Sequence, residues 1–99
     1  MATAATIKTL MRHAIRWSVA AEQDENPLIR ILHANYGMAY ILALRDVAGD
    51  SEVRRVTGQD PREIQQEITK LQDWAVRSFA PHVPGMIPKT PLARLMDKK

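Results

Sequence analysis

The feature that most constrains this chain is the apolar segment from Leu28 to Val47. Asn26 and Pro27 precede it and are typical of a helix start, because asparagine caps free N–H groups and proline tolerates the first helical position. Gly49 follows the segment, as is common beyond a helix end. A helix of this composition is typical of the centre of a bundle, where neighbours surround it. Its apolar residues point in nearly every direction, and they are Leu28, Ile29, Ile31, Leu32, Ala34, Met38, Ala39, Ile41, Leu42, Ala43, Leu44 and Val47.

Two amphipathic helices are predicted beside this central helix. Apolar residues recur at helical spacing from Thr6 to Ala21 and again from Pro61 to Phe79, so each helix has one apolar stripe. Asp60 is a suitable cap for the second of them. One stripe from each helix is too little to cover a central helix that is apolar on nearly all sides. We therefore expect further cover from the C-terminal part of the chain or from a partner subunit.

A short helix from Glu52 to Thr57 is predicted between the central and the last helix. Its two valines would face the core, Asp50 or Ser51 would cap its start, and Gly58 would end it. No segment of the helical region has the alternating pattern of a strand. The sequence therefore predicts an all-α fold, a small bundle of three to four helices around a buried central helix.

The chain changes character after residue 80. Prolines recur there at short intervals and forbid a continuous helix, at Pro81, Pro84, Pro88 and Pro91. We predict a helical body over residues 1–80 and an extended proline-rich C-terminal arm over residues 81–99. The arm needs a surface to lie on, either its own body or a neighbouring subunit, because apolar residues are spread along it: Val83, Met86, Ile87, Leu92, Leu95 and Met96.

Three basic residues of the first helix recur at every fourth position, Lys8, Arg12 and Arg16. This spacing stacks their side chains in a row, which we call the basic row. Such a row is either a solvated face or a contact surface for a partner. The net charge of +3 favours acidic partners or phosphates, but it is below that of a protein dedicated to wrapping nucleic acid.

Composition excludes several classes of protein. Cysteine is absent, so a disulfide framework, a cysteine zinc cluster and a thiol nucleophile are excluded. The first residues lack the apolar run of a secretory signal, and Arg30, His33 and Asn35 interrupt the most apolar segment. We therefore expect a protein that is cytoplasmic rather than secreted and has no membrane span.

No arrangement of residues indicates catalysis. His13, His33 and His82 fall on three different predicted elements, and no spacing pairs two imidazoles on one helical face. The chain also contains no glycine-rich phosphate loop and no dinucleotide-binding fingerprint. We therefore expect no enzyme activity, no cofactor, no metal and no small-molecule substrate.

Residues 51–71 offer an alternative function, because a short helix, a turn at Gly58 and a second helix are similar to a DNA-binding helix-turn-helix. Arg54 stands where a small residue usually lets the two helices touch, and Asp60 would bring negative charge to the phosphates. Nucleic acid is therefore the less favoured partner. Its candidate contacts on the second helix are Arg62, Gln65, Gln66, Thr69 and Lys70.

Several short motifs resemble those of small helical proteins encoded by large double-stranded DNA viruses. The resemblance covers roughly residues 26–79, and its motifs lie at Leu32–Tyr40, Ala43–Val47, Val56–Asp60 and Gln72–Asp73. It implies a virion component, a minor capsid subunit that fills spaces between larger shell proteins. It also implies a location in the virion or in the interior of the host cell, and it carries over no catalytic residues.

Together, these patterns predict a non-catalytic structural or interaction subunit of a larger protein assembly. The expected partners are other protein subunits. The expected contact surfaces are the basic row, Lys8, Arg12 and Arg16, and the apolar residues of the arm, Val83, Met86, Ile87, Leu92, Leu95 and Met96.

Overall fold

The computed structural model of this chain describes residues 2–82. Within this range the backbone forms helices and contains no strand, which confirms the predicted all-α class. The elements are α1 at Ala4–Gln23, α2 at Pro27–Val47, α3 at Asp50–Thr57, α4 at Pro61–Phe79 and a closing 3₁₀ turn at Ala80–His82. The predicted arm begins within this last turn, and its remaining residues, 83–99, lie outside the described range.

Side-chain caps start the two helices that begin with proline. The Asn26 side chain accepts hydrogen bonds from the backbone N–H groups of Leu28 and Ile29, at 3.0 and 3.3 Å. The Asp60 carboxylate accepts one from the N–H of Arg62 at 2.9 Å. Each bond satisfies a donor that has no partner within its own helix. The starts predicted for α2 and α4 are therefore confirmed.

The cap predicted for α3 is wrong. The helix begins at Asp50, with Gly49 as the residue before it and no side-chain hydrogen bond at the cap. The Asp50 carboxylate instead accepts two hydrogen bonds from Arg45, at 3.0 and 3.1 Å, because a guanidinium fork matches a carboxylate better than a backbone amide does. Gly58 ends α3 as predicted, with a positive φ of 74° that glycine adopts without strain.

Helix α2 is the central element and packs against both α1 and α4. It runs antiparallel to α4, since its start lies beside the end of α4 and Arg45 near its end donates to Gln65 near the start of α4, at 2.6 Å. Helix α3 packs across α1 and α4. Burial of each large side chain of the core contributes roughly 1.5–3 kcal/mol. The connected core comprises Ile7, Met11, Ala14, Ile41, Leu44, Val53 and Ile68.

Helices α1 and α2 approach each other closely at Gly37. A Cβ atom on this residue would overlap the Ser18 hydroxyl oxygen and would lie 3.1 Å from the carbonyl oxygen of Ala14. The buried Ser18 hydroxyl donates to that same carbonyl at 2.7 Å, so its position is fixed. Glycine at this position therefore allows the two helices to lie close together.

The bundle covers α2 on one side only. Helix α1 contacts α2 at Gly37 and Tyr40, and α4 contacts it at Arg30 and Arg45. Consequently only Ala34, Gly37, Ile41 and Leu44 of α2 are buried. The sequence predicted a helix surrounded on all sides, and within residues 2–82 the other helices cover only one face of it. Within residues 2–82, part of the apolar surface of α2 is therefore left exposed, as we expected from the single apolar stripe on each of α1 and α4.

Candidate functional site

One side of α2 exposes a row of apolar residues. Its large side chains, Leu28, Leu32, Tyr36, Leu42 and Val47, are between 40 and 49% exposed. The smaller exposed residues between them are Asn35, Ala39, Ala43 and Asp46. We call these nine residues the open face. Exposed apolar residues gathered on one face of a helix mark a contact surface more often than scattered ones do.

The middle of the open face follows a heptad-like spacing. Six of its residues are separated by four, three, four, three and four positions, in the order Leu28, Leu32, Asn35, Ala39, Leu42 and Asp46. A repeat that averages 3.5 residues keeps one seam in line with a partner helix, as in a coiled coil. The open face therefore has the geometry of a surface that receives another helix.

Helix α4 borders one edge of the open face. The Asn35 side-chain oxygen accepts a hydrogen bond from the Gln72 side-chain nitrogen at 3.0 Å. Near the start of α2, the guanidinium of Arg30 lies over the ring of Trp74, 4.8 Å from its centroid, as a cation–π pair. These contacts join α2 to α4 and hold this edge in place.

Helix α1 borders the opposite edge with aromatic rings. Trp17 contacts Tyr36 edge-to-face, with ring centroids 5.1 Å apart, and it also lies 5.1 Å from His33. His13 and Tyr40 form a second pair at 4.9 Å. Beside these rings is a shallow cavity of about 290 Å³ lined by His13, Arg16, Trp17, Ala20 and Tyr40. Aromatic pairs of this kind contribute about 0.5–1.5 kcal/mol beyond the area they bury, so they stabilise this edge.

The histidines do not form a metal site within residues 2–82, where no group of three or more potential protein ligands converges. His33 lies among aromatic rings, and its buried Nδ1 atom has no hydrogen-bond partner in that range. The nearest carboxylate, that of Asp24, is 3.8 Å away, which is too far for a direct hydrogen bond.

The residues of the basic row are all exposed, and none forms an ion pair with another residue in the described range. Lys8 and Arg12 line a depression toward α3, whereas Arg16 lines the cavity beside Tyr40. The structure thus places the row on the surface but spreads it over two different depressions. The apolar residues of the arm, Val83, Met86, Ile87, Leu92, Leu95 and Met96, lie outside the described residues.

The candidate nucleic-acid contacts on α4 are largely occupied by other protein groups. The Arg62 guanidinium lies 3.4 Å from the Asp60 carboxylate, and Lys70 pairs with Glu67 at 3.2 Å. Gln65 accepts from Arg45, and the Thr69 hydroxyl donates to the Gln65 carbonyl oxygen. Gln66 is exposed. A nucleic acid would have to compete with these contacts for the side chains.

Sequence reasoning placed the residues of the open face in the core and assigned the contact surfaces elsewhere. The signal that marks them is present in the sequence, because the spacing from Leu28 to Leu42 is that of a helix seam. That spacing is hidden among the other apolar residues of α2. Only the positions of α1 and α4 show which of the apolar stripes of α2 is left uncovered.

Comparisons of this chain with protein-family models, with curated proteins and with solved structures gave no match. Among the described helices, none combines the length and the apolar continuity needed to cross a membrane.

Proposed function

We propose that this chain is a non-catalytic structural subunit of a larger protein assembly, and that it binds its neighbours through exposed surfaces of the helical body. The observation that carries this proposal is the open face of α2. Five large apolar side chains lie there 40 to 49% exposed, on a rigid helix at the centre of the molecule.

Exposure of these apolar side chains to water is unfavourable in free energy, and a partner that buries them removes this cost. Burial of apolar surface contributes roughly 25 cal/mol per Å², so cover of this face would supply several kcal/mol of association energy. The surface is also preformed, because α2 is fixed from behind by its contacts with α1 and α4. Little ordering energy is then lost on binding.

The basic row supports a second contact of different chemistry. Lys8, Arg12 and Arg16 are exposed and are not neutralised by a carboxylate of residues 2–82. Acidic protein surfaces suit such a row, and contacts of this kind affect the rate and specificity of association more than its affinity. The arm, as predicted from its prolines and apolar residues, would add a third contact.

The resemblance to small helical proteins of large double-stranded DNA viruses extends this proposal to a minor capsid subunit located in the virion or in the host cell. Its support is the sequence motifs in residues 26–79. The alternative function, which is of a different class, is the binding of nucleic acid through the helix-turn-helix-like residues 51–71. The contacts of Arg62, Gln65 and Lys70 with other protein groups do not favour it.

The experiment that tests the proposed function is isolation of the chain from the cells or particles in which it is naturally made. We expect it to sediment in a many-chain particle, with other polypeptides in fixed stoichiometry. Substitution of Lys8, Arg12 and Arg16 by glutamine should reduce its incorporation, and this loss should be steepest at low salt, where surface charges are least screened. Recovery of the natural chain free of other polypeptides would contradict the proposal.

A further inference from the structure

We propose that the open face of α2 binds the same face of a second copy, with the two α2 helices antiparallel. This inference rests on the proposed function and specifies the partner for one surface. A homodimer formed in this way would be the unit that enters the assembly.

The spacing of the open face is consistent with a twofold axis that passes the level of Gly37. An antiparallel pair about this axis places Leu32 of one copy opposite Leu42 of the other, and Asn35 opposite Ala39. Because the steps of four and three alternate in mirror order, every seam residue meets a seam residue of the partner. A C2 interface requires this kind of self-complementary surface.

Residue sizes along the seam also suit close packing of the two helices. Ala39 is small, exposed and two positions from the axis level, so the backbones can approach there. Leu32 and Leu42 lie on either side of that close approach and would fill the space between the helices.

Charge selects the antiparallel orientation. Asp46 is exposed at the C-terminal end of the face and forms no ion pair with another residue of the range 2–82. A parallel pair would place the two Asp46 carboxylates opposite each other, which is destabilising. In the antiparallel pair Asp46 instead faces Leu28 of the partner, an uncharged residue.

A dimer through this face would need most of its surface. Specific stable interfaces bury at least about 1,200 Å² in total, or about 600 Å² per copy. The five large side chains of the open face, which are 40 to 49% exposed, would supply most of that area. Because the interface is at the low end of this range, we expect a dimer that dissociates on dilution.

The first test is sedimentation equilibrium of the full-length chain over a concentration range of about 1–500 µM. We expect a reversible monomer–dimer equilibrium, which Leu32→Glu or Leu42→Glu should shift toward monomer at least tenfold. Val19→Glu is the matched control, because Val19 on α1 is 40% exposed, as Leu32 is, but lies outside the open face. A full-length chain that is monomeric throughout, or one that Val19→Glu dissociates as strongly as Leu32→Glu does, overturns the proposal.

The orientation is tested by disulfide formation, for which the absence of cysteine from the chain is an advantage. Leu32→Cys mixed with Leu42→Cys should give a mixed disulfide dimer at least ten times more abundant than the dimer of either variant alone. In the antiparallel pair the two copies of residue 42 are separated by about 15 Å along the helix axis, whereas a disulfide needs Cα atoms within about 7 Å. Efficient disulfides of each variant with itself would indicate a parallel pair and would overturn the proposal.

The two proposals fail in different ways. A full-length chain that is monomeric in solution, yet is isolated in a many-chain particle, contradicts the dimer and supports the proposed function. A natural chain that is recovered only as a free dimer supports the pairing of α2 and contradicts the role in a larger assembly.

Discussion

The two faces of α2 have nearly the same chemistry and different surroundings. The buried face presents Ala34, Gly37, Ile41 and Leu44 to the other helices of the bundle, and the open face presents leucine and alanine to solvent. Each face has helical spacing, and each could serve as a core. The difference between them arises from α1 and α4, which both lie on one side. Apolar character therefore marks the surfaces of α2 that favour burial. The packing of the neighbouring helices determines which of these surfaces is buried within the bundle.

The largest expected difference between the faces is that between Leu44→Ala and Leu42→Ala. Leu44 is fully buried, so its truncation should lower the free energy of unfolding by about 2–5 kcal/mol. Leu42 is 44% exposed, and in dilute solution its truncation should cost less than about 1 kcal/mol. Urea unfolding monitored by circular dichroism measures both values.

The difference between the two variants should also depend on protein concentration. The cost of Leu42→Ala should rise with concentration as the proposed dimer forms, because binding to the folded state adds to its stability. The cost of Leu44→Ala should remain nearly constant. Equal costs for the two variants in dilute solution would show that the two faces are equally covered.

A smaller effect is expected where the buried face touches α1. Gly37→Ala should lower the free energy of unfolding by about 1–3 kcal/mol, because the added methyl group overlaps the Ser18 hydroxyl oxygen. Ser18→Ala removes that oxygen and should reduce the cost of Gly37→Ala by about 1 kcal/mol in a double-mutant cycle. Gly49→Ala is the control, since a Cβ at Gly49 meets no atom within 4 Å. Simple additivity of the Gly37 and Ser18 substitutions would contradict this account of the contact.

The sequence predicts the helices of this fold well because their starts are local. Asn26 with Pro27, and Asp60 with Pro61, start their helices through bonds to the next few residues, whatever the rest of the chain does. The start of α3 could not be predicted in the same way. Its first carboxylate is taken by Arg45, and Arg45 is held in turn by Gln65 on a distant helix.

The candidate site was less predictable because it also depends on contacts between helices that are distant in the sequence. Leu42 and Leu44 are two positions apart in one apolar helix, and each belongs to a set of apolar residues with helical spacing. The spacing marks both sets as contact surfaces, but only the docking of α1 and α4 shows which set is buried. At Gly37 the missing side chain allows the close approach of α1 on the buried side.

The smallest expected effect concerns the start of α4, the helix that covers the buried face from the other side. The backbone N–H of Arg62 donates to the Asp60 carboxylate, and this bond, with the nearby guanidinium groups, lowers the pKa of Asp60 below its usual value of 3.8. Because the folded-state pKa is the lower one, the stabilisation is fully present above the unfolded-state pKa. It is lost as pH falls through the folded-state pKa.

Asp60→Asn isolates this dependence on pH. Asparagine caps a helix about as well as aspartate does, but it carries no charge, so the variant should unfold with less dependence on pH below about pH 4. The measurement is urea unfolding of both proteins from pH 6 downward, with Asp73→Asn on the same helix as the control. The advantage of Asp60 over asparagine should be greatest near neutral pH and should vanish in acid. If the stability advantage of Asp60 over asparagine persisted unchanged in acid, the charge of Asp60 would not be what stabilises the start of α4.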